Sequence, residues 1–187
     1  MKRLLILIVV LLAGCGEAEE LSPHKIKIEV KSSGTITVEQ AKRLSSFGKL
    51  RLDGLTTIGF FQAPFLGEVE DLSLPDLTSI TEGEAIGLSK ALMLRLDGLT
   101  SITDDTAIKL SNVRNSESET GHASSLLSLD GLTHITDTQA VWLSKVDILL
   151  LRGLVSITDK QAEHLSKCRI LLLSESCQKM VDKYKNP

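Results

Sequence analysis

This 187-residue chain lacks the sequence patterns of the common enzyme classes. It has no GxSxG nucleophile motif, no HExxH zinc motif, no phosphate-binding P-loop and no Rossmann glycine pattern. It also lacks a long run of basic residues, and its formal net charge is -3, which argues against nucleic-acid binding. We therefore expect a protein that is not an enzyme, uses no cofactor and binds no nucleic acid.

Cysteine is scarce, with three residues in the whole chain. Cys168 and Cys177 alone would make a poor metal site, so no metal is expected. In an exported protein disulfides can persist, which leaves two possibilities for this pair. Either a bridge fastens the C-terminus, or both thiols stay free.

The apolar run at residues 4–12 is too short to span a membrane, which takes about 20 residues. Lys2 and Arg3 precede the run and small residues follow it, which is typical of a secretory signal. The sequence LAGC at residues 12–15 resembles the bacterial lipobox, in which the cysteine is lipidated and becomes the mature N-terminus. An ordinary cleaved signal with a chance cysteine is the alternative.

The lipobox resemblance implies a signal peptide at residues 1–14 and a lipid anchor on Cys15. Residues 15–24 are polar, lack periodicity and predict a short flexible tether. The protein would then lie in the cell envelope, attached to a membrane through that lipid. In bacteria with two membranes, Gly16 in place of Asp favours the outer membrane, facing the periplasm or the cell surface.

Three apolar columns recur with a spacing of 22 residues, interrupted by one step of 33. The columns are Ile36, Ile58, Ile80, Ile102, Ile135 and Ile157; Ala41, Ala63, Ala85, Ala107, Ala140 and Ala162; and Leu44, Leu66, Leu88, Leu110, Leu143 and Leu165. Six copies identify an internal repeat. The longer step contains an insertion, which we place near residues 112–125 as a protruding loop.

Each repeat predicts a short strand followed by a short helix. The strands are marked by alternating leucines at Leu50/Leu52, Leu72/Leu74, Leu94/Leu96, Leu127/Leu129, Leu149/Leu151 and Leu171/Leu173. The helix starts fit capping boxes at Thr37–Gln40, Thr81–Glu84, Thr136–Gln139 and Thr158–Gln161. A further strand is predicted at residues 26–30, before the first repeat, and an apolar tail at residues 174–187 is predicted to cap the last one.

Strand, turn, helix and return within 22 residues predict an α/β solenoid with short parallel strands and right-handed crossovers. The pattern LxLxx(L)xxITDxxAxxLS resembles the leucine-rich repeat, and it is most similar to the cysteine-containing subclass and to LDGLTSITD-type repeats of exported planctomycete-type proteins. The resemblance implies about six coils over residues 25–173 and binding of proteins through the strand side or the rim. The chain departs from the subclass in having Leu at its Cys position and a shorter coil.

The candidate partner-binding residues include a charged column and an inserted loop. Asp97 and Asp130 stack with Asp53 at the strand ends, and Arg51 and Arg95 occupy the outward slots beside them. They would form either a charged stripe that contacts a partner or a cation, or local backbone hydrogen bonds in the turns. His122 lies in the inserted loop, and loops on rigid scaffolds often carry recognition.

The second repeat has an aromatic cluster at Phe60, Phe61 and Phe65. Pro64 interrupts its helix, so we expect this segment to be irregular and the rings to fold inward; an exposed binding patch is the alternative. The outward slots of the last two strands are apolar, and the tail is expected to cover them; an exposed docking patch is the alternative. These residues are Ile148, Leu150, Ile170 and Leu172. Altogether the sequence predicts a lipid-anchored protein-binding module, with a self-associating envelope component as the alternative.

Overall fold

The computed structural model describes residues 23–113 and 124–185. Within them the chain is α/β, with a six-stranded, all-parallel sheet whose strands alternate with helices. The elements are α1 (Pro23–Ser33), α2 (Val38–Leu44), β1 (Lys49–Arg51), α3 (Ala63–Leu66), β2 (Asp71–Ser73), α4 (Glu82–Leu88), β3 (Met93–Arg95), α5 (Asp104–Leu110), β4 (Leu126–Ser128), α6 (Asp137–Leu143), β5 (Ile148–Leu151), α7 (Asp159–Leu165), β6 (Ile170–Leu173) and α8 (Glu175–Lys185).

The sheet order follows the chain, and its register follows the repeat. Leu50 lies beside Leu72, and Leu72 beside Leu94, so paired residues are 22 positions apart. Leu94 pairs with Leu127, a step of 33, after which the spacing of 22 resumes. This pairing confirms the predicted parallel strands and is consistent with a repeat-like solenoid. Most of the predicted loop, including His122, lies outside the described residues.

The core contains the predicted apolar columns and one further buried column that was not predicted from the sequence. Every Ala and Leu of the two helix columns is fully buried. Three residues after each Leu, beginning with the second repeat, comes a further buried side chain where the chain returns from helix to strand. This additional column consists of Val69, Ala91, Val113, Val146 and Cys168. Its members vary in type, which hides the column in the sequence although the position is equivalent in each repeat.

All four predicted capping boxes are present, at α2, α4, α6 and α7. In two of them the glutamine has a second partner in the preceding repeat. The side-chain amide of Gln139 donates to the carbonyl oxygen of Ile102, and that of Gln161 donates to Ile135, both at 2.9 Å. These glutamines therefore cap their own helix and join it to the neighbouring repeat.

The strand predicted at residues 26–30 is wrong, because this segment is part of α1. Ile26 and Val30, one helical turn apart, are fully buried, whereas Ile28 between them is exposed. The alternation of Ile26, Ile28 and Val30 is compatible with a strand, but the four-residue spacing between Ile26 and Val30 is equally compatible with a helix. Gly54 permits the close packing of α1, since a Cβ at this position would lie 2.7 Å from the Cα of Lys31.

At the other end, α8 packs against α7 and β6, and its Cys177 and Val181 are buried. The possible disulfide between Cys168 and Cys177 is not formed, and both residues are free, buried thiols. Cys168 occupies the column that holds valine or alanine in the repeats before it, and Cys177 donates to the carbonyl oxygen of Leu154. Packing accounts for both side chains. Among the described helices, none is long and apolar enough to cross a membrane.

Candidate functional site: the outer face of the parallel sheet

The outer face of the sheet changes character from its first strand to its last. One row of outward side chains, at the amino ends of the strands, is Lys49, Asp71, Met93, Leu126, Ile148 and Ile170. The second row is Arg51, Ser73, Arg95, Ser128, Leu150 and Leu172. Because the register is in step, charged residues gather on β1 to β3 and apolar residues on β4 to β6.

The apolar end of this face is open to solvent. Ile170 and Leu172 are 42% and 47% exposed, and their register partners Ile148 and Leu150 are half-buried. The prediction that the tail covers these slots is wrong. The side chains that α8 buries cover the end of the core, and Ile170 and Leu172 stay exposed. We call Ile148, Leu150, Ile170 and Leu172 the apolar patch.

At the charged end, the side chains are largely paired with one another. Asp71 is only 6% exposed, and it lies 3.1 Å from the ammonium group of Lys49 while also accepting a hydrogen bond from Arg95. Arg51 binds the carboxylate of Asp53 at 2.8 Å. Arg95 therefore serves a buried carboxylate of the neighbouring strand, which makes it chiefly a structural residue, whereas Arg51 remains on the surface.

The aspartates at the strand ends join neighbouring repeats. Asp97 accepts hydrogen bonds from the hydroxyl of Ser128 at 2.5 Å and from the backbone N–H of Asp130 at 3.3 Å. Asp130 in turn accepts from the backbone N–H of Arg152 at 2.8 Å, and its hydrogen bond to the guanidinium raises the pKa of Arg152. The prediction of local hydrogen bonds within each turn is therefore wrong for Asp97 and Asp130, which accept hydrogen bonds from the next repeat instead.

The aromatic cluster lies on the helix side of the molecule, away from the sheet face. The expectation that its rings fold inward is wrong for Phe60 and Phe61, which are 61% and 71% exposed and stack edge to face with centroids 5.5 Å apart. Phe65 packs against the core. The shortening of α3 to four residues, with Pro64 in its first turn, agrees with the predicted irregularity. Phe60 lies over Gly83 of α4, where no side chain obstructs its ring.

Cys15, the predicted lipidation site, lies outside the described residues. Within residues 23–113 and 124–185, no three His, Cys, Asp or Glu side chains cluster as metal ligands would. Burial raises the pKa of Cys168 to about 11, so its thiol stays protonated and poorly nucleophilic at neutral pH. Among the described residues, the apolar patch on the sheet and the Phe60–Phe61 pair on the helix side are both apolar features exposed to solvent, and the patch is the one that lies on the regular sheet face. Comparison of the chain with protein-family models and with curated proteins found no match.

Proposed function

We propose that this chain is a lipid-anchored protein of the cell envelope, built as a right-handed, leucine-rich-repeat-like solenoid, that binds a protein partner through its outer sheet face. The observation that carries this proposal is the exposure of Ile170 and Leu172 on a rigid, in-register sheet. An apolar patch that the fold leaves uncovered is a common feature of protein-binding surfaces.

The patch has the anatomy of an interface core. Its apolar side chains stand on adjacent strands about 4.8 Å apart, so a partner would meet a continuous surface. Completing the burial of a half-exposed Ile or Leu contributes roughly 1 kcal/mol. Arg169, exposed directly before β6, supplies a polar group at the margin of this centre.

The solenoid description rests on regular geometry. Each strand is connected to the next parallel strand through a helix, and such crossovers are right-handed in nearly all proteins. The proposed lipid anchor is supported by the LAGC motif at residues 12–15 and by the charged, apolar and small-residue segments of the signal. Lipidation would place the solenoid within reach of partners at the membrane surface.

Two experiments test the lipid anchor and the protein-binding surface separately. Metabolic labelling with an alkyne fatty acid should label the wild-type protein and leave Cys15→Ser unlabelled, and equal labelling of both would contradict the anchor. Cross-linking in cells should then yield a discrete partner that is lost in Ile170→Asp/Leu172→Asp. Val155→Asp is the matched control, because Val155 is also apolar and 63% exposed but lies in the loop between β5 and α7. Loss of the partner in both variants would contradict the assigned surface.

A second function is favoured by the same patch, since two copies could bury it against each other. The chain would then be a self-associating envelope component without another ligand. Sedimentation of the purified protein at rising concentration separates the two functions. A monomer supports the binding module, whereas a dimer or an ordered assembly that Ile170→Asp dissolves supports self-association.

A further inference from the structure

The two edges of the sheet differ in what packs against them. At the first edge, α1 packs on the repeat of β1: the backbone N–H of Thr56 donates to the carbonyl oxygen of Gly34 at 2.9 Å, and Gly54 lies against the backbone of Lys31. At the other edge, β6 is the outermost strand of the described sheet and pairs with β5 alone. Natural proteins protect such an edge with a helix, a charged side chain or a proline, because its backbone can pair with another strand.

The backbone of β6 has hydrogen-bonding groups that face away from the sheet. Ile170 donates its N–H to the carbonyl oxygen of Asp147 at 2.9 Å, on the side of β5. Since neighbouring residues of a strand direct their backbone groups to opposite sides, Leu171 and Leu173 direct theirs away from β5. Among the hydrogen bonds between described residues, neither of these two N–H groups is a donor. The edge of β6 is therefore available to a further strand.

The side chains around β6 do not protect this edge. The strand, Ile170–Leu173, contains neither a charged residue nor a proline. Arg169, directly before it, donates from its guanidinium to the hydroxyl of Ser124 at 3.0 Å, so its charge is directed back along the sheet towards β4. Leu173 is only partly buried, whereas Leu151, its register partner in β5, is fully buried. The helix α8 therefore leaves the carboxyl end of β6 incompletely covered.

The charges of α8 are arranged to suit an antiparallel copy of the same helix. Cys177 and Val181 are buried, which places Glu175 and Lys183 on the opposite, exposed side of α8. Glu175 lies in the first turn, where it also binds Lys179 of its own helix at 2.9 Å, and Lys183 lies in the last turn. In a second copy related by a two-fold axis, the acidic start of each helix would meet the basic end of the other. A two-fold interface requires such self-complementarity.

We propose that β6 pairs with β6 of a second copy of this chain, antiparallel and centred on Leu171, in a two-fold symmetric dimer. This inference deepens the self-association proposed above and rests on it. In this register, the N–H and C=O of Leu171 bond reciprocally with Leu171 of the second copy, and Leu173 donates to the carbonyl oxygen of Arg169. Ile170 lies opposite Leu172 of the second copy, so the two apolar patches join into one surface.

Pairing through this edge stops at two copies. Stacking of β6 on β1 of another copy would build an open fibre, but α1 packs on the repeat of β1 at that edge. The outer sheet face stays exposed in the dimer, because the strands pair within the plane of the sheet. An interface limited to one strand and one helix is smaller than the roughly 1,600 Å² of stable complexes, so we expect a weak dimer, with a dissociation constant on the order of micromolar or higher.

Disulfide trapping in the full chain tests this register. The Cα atoms of Ile170 and of Leu172 in the second copy would lie about 4.5 Å apart, whereas two Leu172 residues would lie beyond the disulfide limit of about 7 Å. A mixture of Ile170→Cys and Leu172→Cys should therefore form disulfide-linked dimers at least about fivefold more than either variant alone. A mixture of Val155→Cys and Leu172→Cys is the matched control and should form no more than the single variants. Wild type reports any bridging through Cys15.

Charge reversal tests the contact between the two copies of α8. Glu175→Lys and Lys183→Glu should each raise the dissociation constant, measured by sedimentation, by about two- to fivefold, and the combined variant should restore it. Lys160→Glu, on the exposed surface of α7, is the matched control and should leave the dissociation constant unchanged.

Edge pairing is overturned, while self-association stands, if a dimer sediments but the single variants cross-link as well as the Ile170→Cys and Leu172→Cys mixture, or if that mixture does not cross-link. The copies then meet in another geometry. If the protein sediments as a monomer and no mixture cross-links, edge pairing and self-association both fail. A monomer that still yields a discrete partner in cells, lost in Ile170→Asp/Leu172→Asp, would assign the patch to a different protein.

Discussion

The glutamine that joins two repeats offers a sharp test of how this fold is held together. Gln161 is 7% exposed and has two roles. Its side-chain oxygen accepts the backbone N–H of Thr158 at 2.9 Å, completing the capping box. Its amide nitrogen donates to the carbonyl oxygen of Ile135 in the preceding repeat. Replacement by glutamate keeps the shape and the accepting oxygen, but at neutral pH it replaces the donor with a second acceptor and adds a negative charge.

The expected loss of unfolding free energy follows from the hydrogen-bonding groups that Gln161→Glu leaves without a partner. The carbonyl of Ile135 loses its side-chain donor, and an unsatisfied buried acceptor costs about 1–3 kcal/mol. A carboxylate oxygen then faces that carbonyl in a buried position, which adds a repulsive contribution. We expect unfolding free energy to fall by about 2–4 kcal/mol at neutral pH.

Acidification should reverse the effect. Burial next to a carbonyl raises the pKa of the introduced carboxyl above its unfolded value of about 4.3. The protonated form can donate to Ile135, so the deficit is smallest below the unfolded pKa and grows as pH rises through the folded pKa. Comparing variant with wild type at each pH cancels the titration of the other carboxylates.

Urea unfolding followed by circular dichroism measures the difference by linear extrapolation. Gln139→Glu, at an equivalent position, should behave like Gln161→Glu. The control is Glu84→Gln, which keeps a capping box that naturally uses a carboxylate and should change stability by less than about 0.5 kcal/mol. If Gln161→Glu is as stable as the control at pH 7, the hydrogen bond from Gln161 to the preceding repeat does not stabilise the fold.

Three further outcomes are expected. Gly54→Ala should destabilise the protein by about 1–3 kcal/mol and expose α1 to proteolysis, because a Cβ would meet the Lys31 backbone at a φ of 80°; unchanged melting would contradict this packing. Thiol titration of native protein should find Cys168 unreactive below pH 9, since its pKa is raised to about 11, and rapid labelling at pH 7.5 would show that it is accessible. Phe60→Ser/Phe61→Ser should leave the melting temperature within about 2 °C of wild type, because both rings are exposed; a large drop would mean that they fold inward.

The sequence predicted much of the fold because the repeat reports the same environment several times. A single Thr37–Gln40 match is weak evidence for a helix start, but four equivalent matches locate helices throughout the chain. The extra column ending at Cys168 was missed because Val, Ala and Cys fill it interchangeably, so burial is constant while residue type is not. The α1 segment occurs only once among the repeats, so there were no equivalent copies to compare. The alternation of its apolar residues therefore led to the wrong prediction of a strand.

The candidate site was less predictable. The aspartates at Asp97 and Asp130 were expected to serve their own turns, whereas they bind the next repeat. That difference depends on the stacking of one repeat on another, which no single repeat encodes. The apolar slots at Ile170 and Leu172 were visible in the sequence, but whether the tail covered them depended on the direction in which α8 leaves β6.

The sequence by itself determined the period, the strand register, the inward columns and the helix caps, because these follow from local chemistry repeated every 22 residues. The tertiary structure decided which outward side chains remain available to a partner. Exposure is a property of packing between distant segments, so α8 can bury Val181 and leave Ile170 open, and Phe60 can lie over Gly83 of the next helix and still face solvent.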